Sequence, residues 1–279
     1  MAKMAKAFHS ANLDAARRRT GDFMGFITGL VSISFRGLTT DEILGYVREA
    51  GLDAIEWGGD VHAPAGNIDV AEKAGEITRA SGLMLPEYGS YYRLGVSGEE
   101  ALDEAVASAK ALGTDTVRIW AYNKGSDQVS TEEYASVVAD AKRICKKYPE
   151  IIFCTECHNH TLTDDCDKHL KFLQDIGTEN FKTFWQPNQL KSFAYNQRSA
   201  EMLAPYTKAI QVFSWEGDRK LPLIAHREKW VAYLKTFASQ SEARDVYLML
   251  EFMHDNRIES LSETAKQLRE ILCALTEES

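Results

Sequence analysis

Short apolar runs alternate with longer segments of helical period along most of the chain. From about residue 29 onward the apolar runs are rich in Val, Ile, Leu and aromatic residues, as strands are, whereas the segments between them repeat their apolar positions every three or four residues. The pattern predicts eight strands, over residues 30–35, 53–57, 83–88, 116–120, 151–156, 181–185, 209–213 and 246–251. It predicts eight helices, over residues 40–50, 70–80, 99–112, 131–147, 167–176, 198–204, 226–237 and 261–275.

Eight successive βα units favour one α/β fold over the other common ones. A chain of about 250 residues with eight such units fits a closed (β/α)8 TIM barrel better than an open doubly wound sheet. The phosphate-binding signatures GxGxxG and GxxxxGK[ST], which would favour the open sheet, are absent from the sequence. Because no Pro/Gly/Ser-rich linker divides the chain, we predict a single barrel domain over residues 28–279, preceded by an N-terminal extension over residues 1–27.

Composition and charge narrow the range of partners. Of the 279 residues 44% are hydrophobic and 26% are charged, as in soluble globular proteins. A net charge of -9 argues against a nucleic-acid partner, and no apolar run approaches the roughly 18 residues that a membrane span needs. Five cysteines, an odd and sparse set, indicate reduced thiols in the cytoplasm. The sequence is compatible with a homo-oligomer.

Polar side chains end most of the predicted strands, where a (β/α)8 barrel places its chemistry. Glu156 and Glu251 end strands five and eight, and amide side chains end strands six and seven. Because side chains alternate along a strand, Glu156 and His158 face the same way. A buried carboxylate is costly unless it is paired, hydrogen-bonded or bound to a cation. A shared divalent cation would account for the two carboxylates and the two amides, and hydrogen bonds to a neighbouring arginine or to backbone N–H groups are the alternative.

Several sequence segments resemble the sugar phosphate isomerase/epimerase superfamily, also called the xylose-isomerase-like barrels. The segments are SISFR at 32–36, IEWGGDVHAP at 55–64, VRIWAYNKGS at 117–126, TECHNHTLTDD at 155–165 and LEF at 250–252. The resemblance covers about residues 28–275. Its GLxxIEW, ExH and TLTD elements are most similar to the metal-dependent 3-dehydroshikimate dehydratases and to uncharacterised sugar isomerase/epimerase-like proteins.

The resemblance implies a metal site. The superfamily places one ligand at the end of each of strands five to eight, usually Glu, Asp, His and Glu, and these positions correspond here to Glu156, Gln186, Gln211 and Glu251. The two amides depart from the pattern and lower the negative charge of the ligand set. Such an all-oxygen set suits Mn²⁺, with Mg²⁺ or Ca²⁺ as alternatives, rather than Zn²⁺. The competing interpretation is that both amides hydrogen-bond the glutamates and no metal binds.

Further residues match substrate-contacting positions of the superfamily. His158 resembles the histidine that touches a substrate oxygen, and Arg118, Tyr88 and His62 stand at matching strand ends. Each has a structural alternative: a histidine bonded to a backbone carbonyl, an arginine that neutralises a neighbouring glutamate, a core tyrosine and a loop histidine. Trp57 and Trp215 would also fall at strand ends, where an indole can stack on the apolar face of a sugar ring.

These expectations combine into one preferred function and two alternatives. We predict a divalent-metal-dependent isomerase or epimerase of a small sugar, sugar phosphate or polyol, in which Glu156 and Glu251 transfer a proton through a metal-bound enediolate. The first alternative is a lyase of the 3-dehydroshikimate dehydratase type, with His158 as general acid or base. The second is a metal-free carbohydrate-binding protein on a degenerate barrel.

Overall fold

Eight parallel strands close into a barrel in the computed structural model, which describes residues 25–240 and 245–277. The strands are β1 (Phe26–Val31), β2 (Ala54–Gly58), β3 (Tyr88–Arg93), β4 (Thr116–Trp120), β5 (Ile152–Glu156), β6 (Phe181–Trp185), β7 (Thr207–Val212) and β8 (Val246–Leu250). Each strand pairs with its sequence neighbours, and β1 pairs with β8 from Phe26↔Val246 to Leu30↔Leu250. This last pairing closes the sheet and leaves no free edge.

In the described part of the chain, eight α-helices surround the barrel, one after each strand. They are α1 (Thr40–Glu49), α2 (Ile68–Ala80), α3 (Glu99–Leu112), α4 (Thr131–Lys147), α5 (Cys166–Ile176), α6 (Phe193–Leu203), α7 (Arg227–Gln240) and α8 (Leu261–Glu277). The predicted (β/α)8 barrel is therefore confirmed. The predicted boundary between residues 27 and 28 falls inside β1, and residues 1–24 of the predicted extension lie outside the described residues. None of the described helices is long and apolar enough to cross a membrane.

Local sequence determines where several helices begin. Thr39 and Glu42 form a capping box at the start of α1, in which each side chain bonds the backbone N–H of the other residue. Ser130 and Glu133 do the same at the start of α4. Each box satisfies two N–H groups that the first turn of a helix leaves free and places a carboxylate at the positive end of the helix dipole.

The apolar core has two layers, one inside the barrel and one between barrel and helices. Inside, side chains such as Ile27, Phe184 and Met249 are at most 1% exposed and fill the amino-terminal half. Their outward-facing neighbours pack under the helices as part of the larger outer cluster. The inner layer is a packed floor rather than a pore, so the polar residues above it are reached only from the carboxyl ends of the strands.

Three predicted elements differ from the observed ones by four residues or more at one end. Strand β1 runs over Phe26–Val31 rather than 30–35, and the residues after it form a turn of 3-10 helix, Ser32–Phe35. Strand β3 runs over Tyr88–Arg93 rather than 83–88, because the apolar segment before it reaches the barrel through a single bridge, Ala54↔Met84. Helix α6 begins five residues earlier than predicted, because Ser192 caps it by accepting a hydrogen bond from the Tyr195 N–H at 3.2 Å.

Two glycine substitutions should change stability in opposite directions. A Cβ at Gly29 in β1 would lie 2.7 Å from Met249 Sδ and 2.8 Å from the Ala54 carbonyl oxygen, so we expect Gly29→Ala to lower the free energy of unfolding by about 1–3 kcal/mol. A Cβ at the exposed Gly45 in α1 would meet nothing within 4 Å, so Gly45→Ala should raise it by about 0.5–1 kcal/mol. Urea unfolding of both variants measures the two effects, and a stabilised Gly29→Ala would contradict the packing described here.

Candidate active site

A cavity of about 480 Å³ opens at the carboxyl ends of the strands. We call it the central cavity. Its polar wall includes Arg118 from β4, Glu156 at the end of β5, Gln186 directly after β6 and Glu251 directly after β8. The inward-facing positions of four different strands therefore supply side chains to one space, as expected at this end of a (β/α)8 barrel.

Six of the ten residues singled out from the sequence line this cavity. They are Arg118, Glu156, His158, Gln186, Trp215 and Glu251. The other four do not line it. They are Trp57, His62, Tyr88 and Gln211.

Strand alternation explains where Trp57 and its neighbour His62 lie. Glu56 faces the barrel interior, so Trp57 faces the helices, where its Nε1 donates to Thr78 Oγ1 in α2 at 2.9 Å. His62 packs against the Trp57 ring at a centroid distance of 5.5 Å, and its ring nitrogens lie 3.0 Å from Ser32 Oγ and 3.1 Å from the Leu38 carbonyl oxygen. Both side chains serve the packing between the barrel and its surrounding loops.

Tyr88 also lies outside the central cavity, because β3 begins at this residue instead of ending there. Its hydroxyl donates to the Ala63 carbonyl oxygen at 2.8 Å and its side chain is buried. Three residues further along the same strand, Tyr91 faces the cavity instead. Tyr91 therefore occupies the place in the cavity wall that was predicted for Tyr88, because the strand lies further along the chain than predicted.

Gln211 lies one step below the cavity. It is level with Met249 in the β7–β8 ladder, whereas the Glu251 N–H bonds the Val212 carbonyl oxygen, which puts Phe213 beside Glu251. The Gln211 side chain is 2% exposed, and its Oε1 has no hydrogen-bond partner among the described residues. Phe213, not Gln211, forms the cavity wall on β7.

Donor groups face both carboxylate oxygens of Glu156. Gln186 Nε2 donates to Glu156 Oε1 at 3.1 Å and to the Cys157 carbonyl oxygen at 2.8 Å, so the amide nitrogen points toward the glutamate. Arg118 Nη1 lies 3.4 Å from Glu156 Oε2. The guanidinium is itself buried, and the neighbouring carboxylates raise its pKa against the effect of burial. An amide donor and a guanidinium thus contact the two oxygens of the Glu156 carboxyl group.

Glu251 has a different environment. Burial, followed by repulsion from Glu156 and Glu56, holds the pKa of Glu251 well above its usual range, although Arg118 acts in the opposite direction. Glu251 therefore carries a proton under conditions in which an exposed glutamate is ionised. Two carboxyl groups at one cavity thus have different surroundings, and such pairs of carboxyl groups serve acid–base catalysis in enzymes.

A second pair of acids lies deeper in the barrel. Glu56 and Glu87 are at most 1% exposed, and neither oxygen of Glu56 nor Oε1 of Glu87 has a hydrogen-bond donor among the described protein groups. Burial is the main cause that raises the pKa of Glu56 to about 7 and holds the pKa of Glu87 well above its usual range. A proton on Glu87 that is donated to Glu56 satisfies both side chains. The nearby Gly89 makes room for them, because a Cβ there would lie 2.3 Å from Glu56 Oε1.

Aromatic rings form much of the remaining wall. Trp120 lies under the Arg118 guanidinium at 5.0 Å and meets the His158 ring edge-on at a centroid distance of 4.8 Å. On the opposite side, Trp215 packs between Phe213 and Phe252 at centroid distances of 5.2 and 5.9 Å. Aromatic faces beside fixed polar groups suit a ring-shaped or polyhydroxylated ligand.

His158 stands at the mouth of the central cavity. Its Nδ1 lies 2.8 Å from the Asn159 carbonyl oxygen, an acceptor, so Nδ1 carries a hydrogen. In the neutral ring Nε2 is then left as an acceptor.

Strained backbone is concentrated in the loops around the cavity. Among the residues that the structure describes, those other than glycine with positive φ are Tyr122 (64°), His160 (62°), Phe252 (48°) and Asn256 (58°). All follow β4, β5 or β8 at the carboxyl end of the barrel. Such conformations persist where the surroundings enforce them, and they are frequent at functional sites.

The described side chains do not fit the four-ligand cation site that the resemblance implies. Gln211 lies beneath the cavity, and both oxygens of Glu156 already face donor hydrogens from Gln186 and Arg118, whose positive charge opposes a second cation. Within residues 25–240 and 245–277, no three or more His, Cys, Asp or Glu side chains are grouped so that they could hold a metal ion. Of the two hydrogen bonds that the metal-free alternative expects, the bond from Gln186 to Glu156 is present, and among the described residues none joins Gln211 to a glutamate.

Sequence reasoning missed several wall residues, among them Tyr91, Phe213 and Phe252. Phe213 and Phe252 follow strands seven and eight and look like ordinary core residues in an apolar sequence. Their position is set by the β7–β8 register, which the sequence does not reveal. Arg36, also on the wall, bonds Asp60 Oδ2 at 2.6 Å and the Tyr91 hydroxyl at 2.8 Å, and it closes the β1 side of the cavity.

Comparison with known proteins identifies the fold. No protein-family model matches the sequence, and no curated protein matches it. Among solved structures, the probable 3-DHS dehydratase AsbF from Bacillus anthracis is 19% identical, with a TM-score of 0.71 over 87% of this chain and 98% of that one. A xylose isomerase domain protein from Alicyclobacillus acidocaldarius is 13% identical, with a TM-score of 0.69 over 90% and 99%. A D-psicose 3-epimerase is 13% identical, with a TM-score of 0.61 over 89% and 97%. The chain therefore has the fold of the xylose isomerase-like TIM barrels.

Replacing Glu87, which carries a buried proton in this structure, should alter the pH dependence of the free energy of unfolding. In the unfolded chain Glu87 ionises near its ordinary pKa, so the folded state binds an extra proton above that pH and loses stability as the pH rises toward the folded pKa. Glu87→Gln supplies a permanent N–H donor to Glu56 and removes this loss. We expect the variant to gain stability relative to the native protein by up to about 1–3 kcal/mol at pH 8, and by much less at pH 5.

Thermal unfolding at the two pH values measures this difference. Glu150→Gln, at a half-exposed glutamate on the outside of the barrel, is the matched control. An equal change in Tm at pH 5 and pH 8 for Glu87→Gln would show that Glu87 is ionised in the folded protein.

Proposed function

We propose that the protein is an isomerase or epimerase of a polyhydroxylated carbonyl compound, such as a keto sugar, and that Glu156 and Glu251 transfer the proton. The observation that carries the proposal is the pair of buried glutamates at the ends of β5 and β8, which face one cavity and have different hydrogen-bond and charge partners. The likeness in fold to an epimerase and to a probable dehydratase is consistent with this class of chemistry.

The two glutamates have complementary roles in the proposed reaction. The Glu156 carboxylate removes the proton from the carbon beside the substrate carbonyl, which leaves an enediolate. The Glu251 carboxylic acid then returns a proton, either to the neighbouring carbon in an isomerisation or to the opposite face of the same carbon in an epimerisation. Exchange with solvent at the cavity mouth restores both groups to their starting states.

Arg118 supplies the positive charge for the enediolate. Its guanidinium is always charged, lies 3.4 Å from Glu156 and lines the cavity, while its buried Nε has no partner among the described residues. A fixed cation in a space of low dielectric stabilises a developing oxyanion strongly. The proposed mechanism therefore uses the guanidinium for charge stabilisation and includes no step at a metal ion.

A dehydratase reaction is the second candidate. The same enediolate, in a substrate that carries a β-hydroxyl group, expels that oxygen as water when an acid protonates it. His158 lines the mouth of the cavity, and its ring, when protonated, donates this proton from Nε2, since Nδ1 faces the Asn159 carbonyl oxygen. A product that absorbs in the ultraviolet as an enone would identify this reaction, and an isomer of the substrate would identify the first.

Replacing either glutamate should abolish turnover while the barrel still folds. We expect Glu156→Gln and Glu251→Gln each to lower kcat by about 100-fold or more, because general acid–base catalysis typically contributes that factor. The measurement is a ketose panel assayed by chromatography, with Glu150→Gln as the control for charge and circular dichroism as the control for folding. Turnover that survives in both single variants would reject the mechanism, and ligand binding without any turnover in the native protein would favour a carbohydrate-binding function.

The proposed mechanism also predicts indifference to divalent cations. After treatment with a chelator, kcat should stay within about twofold of its value with millimolar Mn²⁺, and Mn²⁺ should leave Tm unchanged, because an ion that does not bind the folded state cannot stabilise it. Arg118→Met should lower kcat by about 100-fold, an effect that Mn²⁺ does not reverse. Activity lost on chelation and restored by Mn²⁺ would establish the cation-dependent site that the sequence resemblance implies.

A further inference from the structure

Two aromatic rings lie against the Arg118 guanidinium. Its central carbon is 5.0 Å from the ring centroid of Trp120 and 5.4 Å from that of Tyr91, distances at which a ring face attracts a cation. Both rings line the central cavity, whereas Arg118 is only 1% exposed. Side chains of the cavity wall therefore enclose most of this charged group.

The polar contacts of the Arg118 side chain hold it only loosely. Its Nε is buried and has no hydrogen-bond partner among the described residues, and the 3.4 Å between its Nη1 and Glu156 Oε2 exceeds an ordinary hydrogen-bond length. An arginine side chain turns about several single bonds and keeps one orientation only where contacts hold it. For Arg118 the contacts with the two rings add what these polar contacts lack.

Trp120 is itself held on more than one side. It follows Arg118 by two residues in β4, so both side chains stand on the inward face of the barrel. The indole meets the His158 ring edge-on, and the guanidinium carbon of Arg93 lies 5.2 Å from its centroid. Arg93 in turn donates from Nη1 to the Tyr122 carbonyl oxygen at 2.5 Å. The indole is therefore a fixed surface for Arg118.

Tyr91 is held at its hydroxyl group. The side chain is 41% exposed, so packing alone does not fix it. Arg36 Nη2 donates to the Tyr91 oxygen at 2.8 Å, and the Tyr91 hydroxyl donates to Asp60 Oδ2 at 3.1 Å. Arg36 Nε donates to the same Asp60 oxygen at 2.6 Å, which closes a network of three side chains from β3 and from the segments that follow β1 and β2. This network keeps the Tyr91 ring beside Arg118.

We propose that Tyr91 and Trp120 are positioning residues, which hold the Arg118 guanidinium in the orientation that stabilises the enediolate. This inference rests on the function proposed above and adds two residues that act through Arg118. Neither ring exchanges a proton with the substrate in this role. A cation that is already oriented stabilises a developing oxyanion without the cost of reorientation, so the two rings contribute to the rate and not to the affinity for substrate.

Steady-state kinetics of single variants tests this role with the ketose that the panel identifies. We expect Tyr91→Leu and Trp120→Leu each to lower kcat by about tenfold or more and to change KM by less than about twofold, because the lost interaction acts in the transition state. Tyr91→Phe keeps the ring but loses the hydrogen bonds of its hydroxyl group, so it should lower kcat by only about two- to threefold. In an Arg118→Met background, Tyr91→Leu should lower kcat by less than about twofold more, since its effect is transmitted through Arg118.

Nitrogen-15 relaxation of the arginine Nε–H groups measures how firmly the guanidinium is held, without any turnover. In the native protein we expect an order parameter above about 0.8 for Arg118 Nε, which falls below about 0.6 in Tyr91→Leu and in Trp120→Leu. Arg118→Met identifies the resonance by its absence. Tyr148→Leu is the matched control, because it removes a tyrosine ring that contacts two lysines on the outside of the barrel and should change neither kcat nor the Arg118 order parameter.

An Arg118 order parameter that is unchanged in both leucine variants would overturn the inference, as would effects of Tyr91→Leu and Arg118→Met on kcat that add in full. A loosened guanidinium with unchanged kcat would overturn it as well when turnover requires Glu156 and Glu251. If the guanidinium loosens and turnover survives in both glutamine variants, the positioning role of the two rings stands and the proposed reaction fails.

Discussion

The burial of several carboxyl groups around a single guanidinium governs the interior of this barrel. Glu56, Glu87, Glu156 and Glu251 are all at most 6% exposed, and Arg118 is the only fully buried arginine or lysine in residues 25–240 and 245–277. One positive charge cannot compensate four negative ones at low dielectric, where an unpaired ion costs several kcal/mol. The negative charge of the barrel interior is therefore reduced when some of these carboxyl groups bind a proton. Loss of Arg118 would remove the buried cation that acts on all four of these acids.

The same balance links fold and chemistry. The apolar floor of the barrel excludes water from below, which raises the pKa of Glu251, while Arg118 and Gln186 contact the Glu156 carboxyl group. The difference between the two glutamates therefore arises from their surroundings and not from their residue type. The side chains that pack the barrel interior therefore also determine the surroundings of the two glutamates.

The sequence predicted most of this architecture and part of the site. Strands β4 and β6 and helices α3 and α4 have the predicted bounds, because Gly, Ser and Thr mark their ends clearly. Alternation also placed Glu156 and His158 on one wall of the cavity. Tyr88 was misassigned because the apolar residues 83–85 imitate a strand that begins only at Tyr88. The depth of Gln211 could not be predicted, since the β6–β7 pairing shifts by one residue between Thr183 and Phe184.

A short antiparallel hairpin follows β7 and pairs Trp215–Glu216 with Arg219–Lys220. It contacts the loop that follows β8. The Lys220 ammonium lies 5.2 Å from the centroid of Trp215 and 4.6 Å from that of Phe252, and it donates a hydrogen bond to Asn256. The segments after β7 and β8 are consequently not independent modules. Exchange of loops between barrels of this type, in evolution or in engineered chimeras, would have to transfer both segments together, since either one alone would lack its partner.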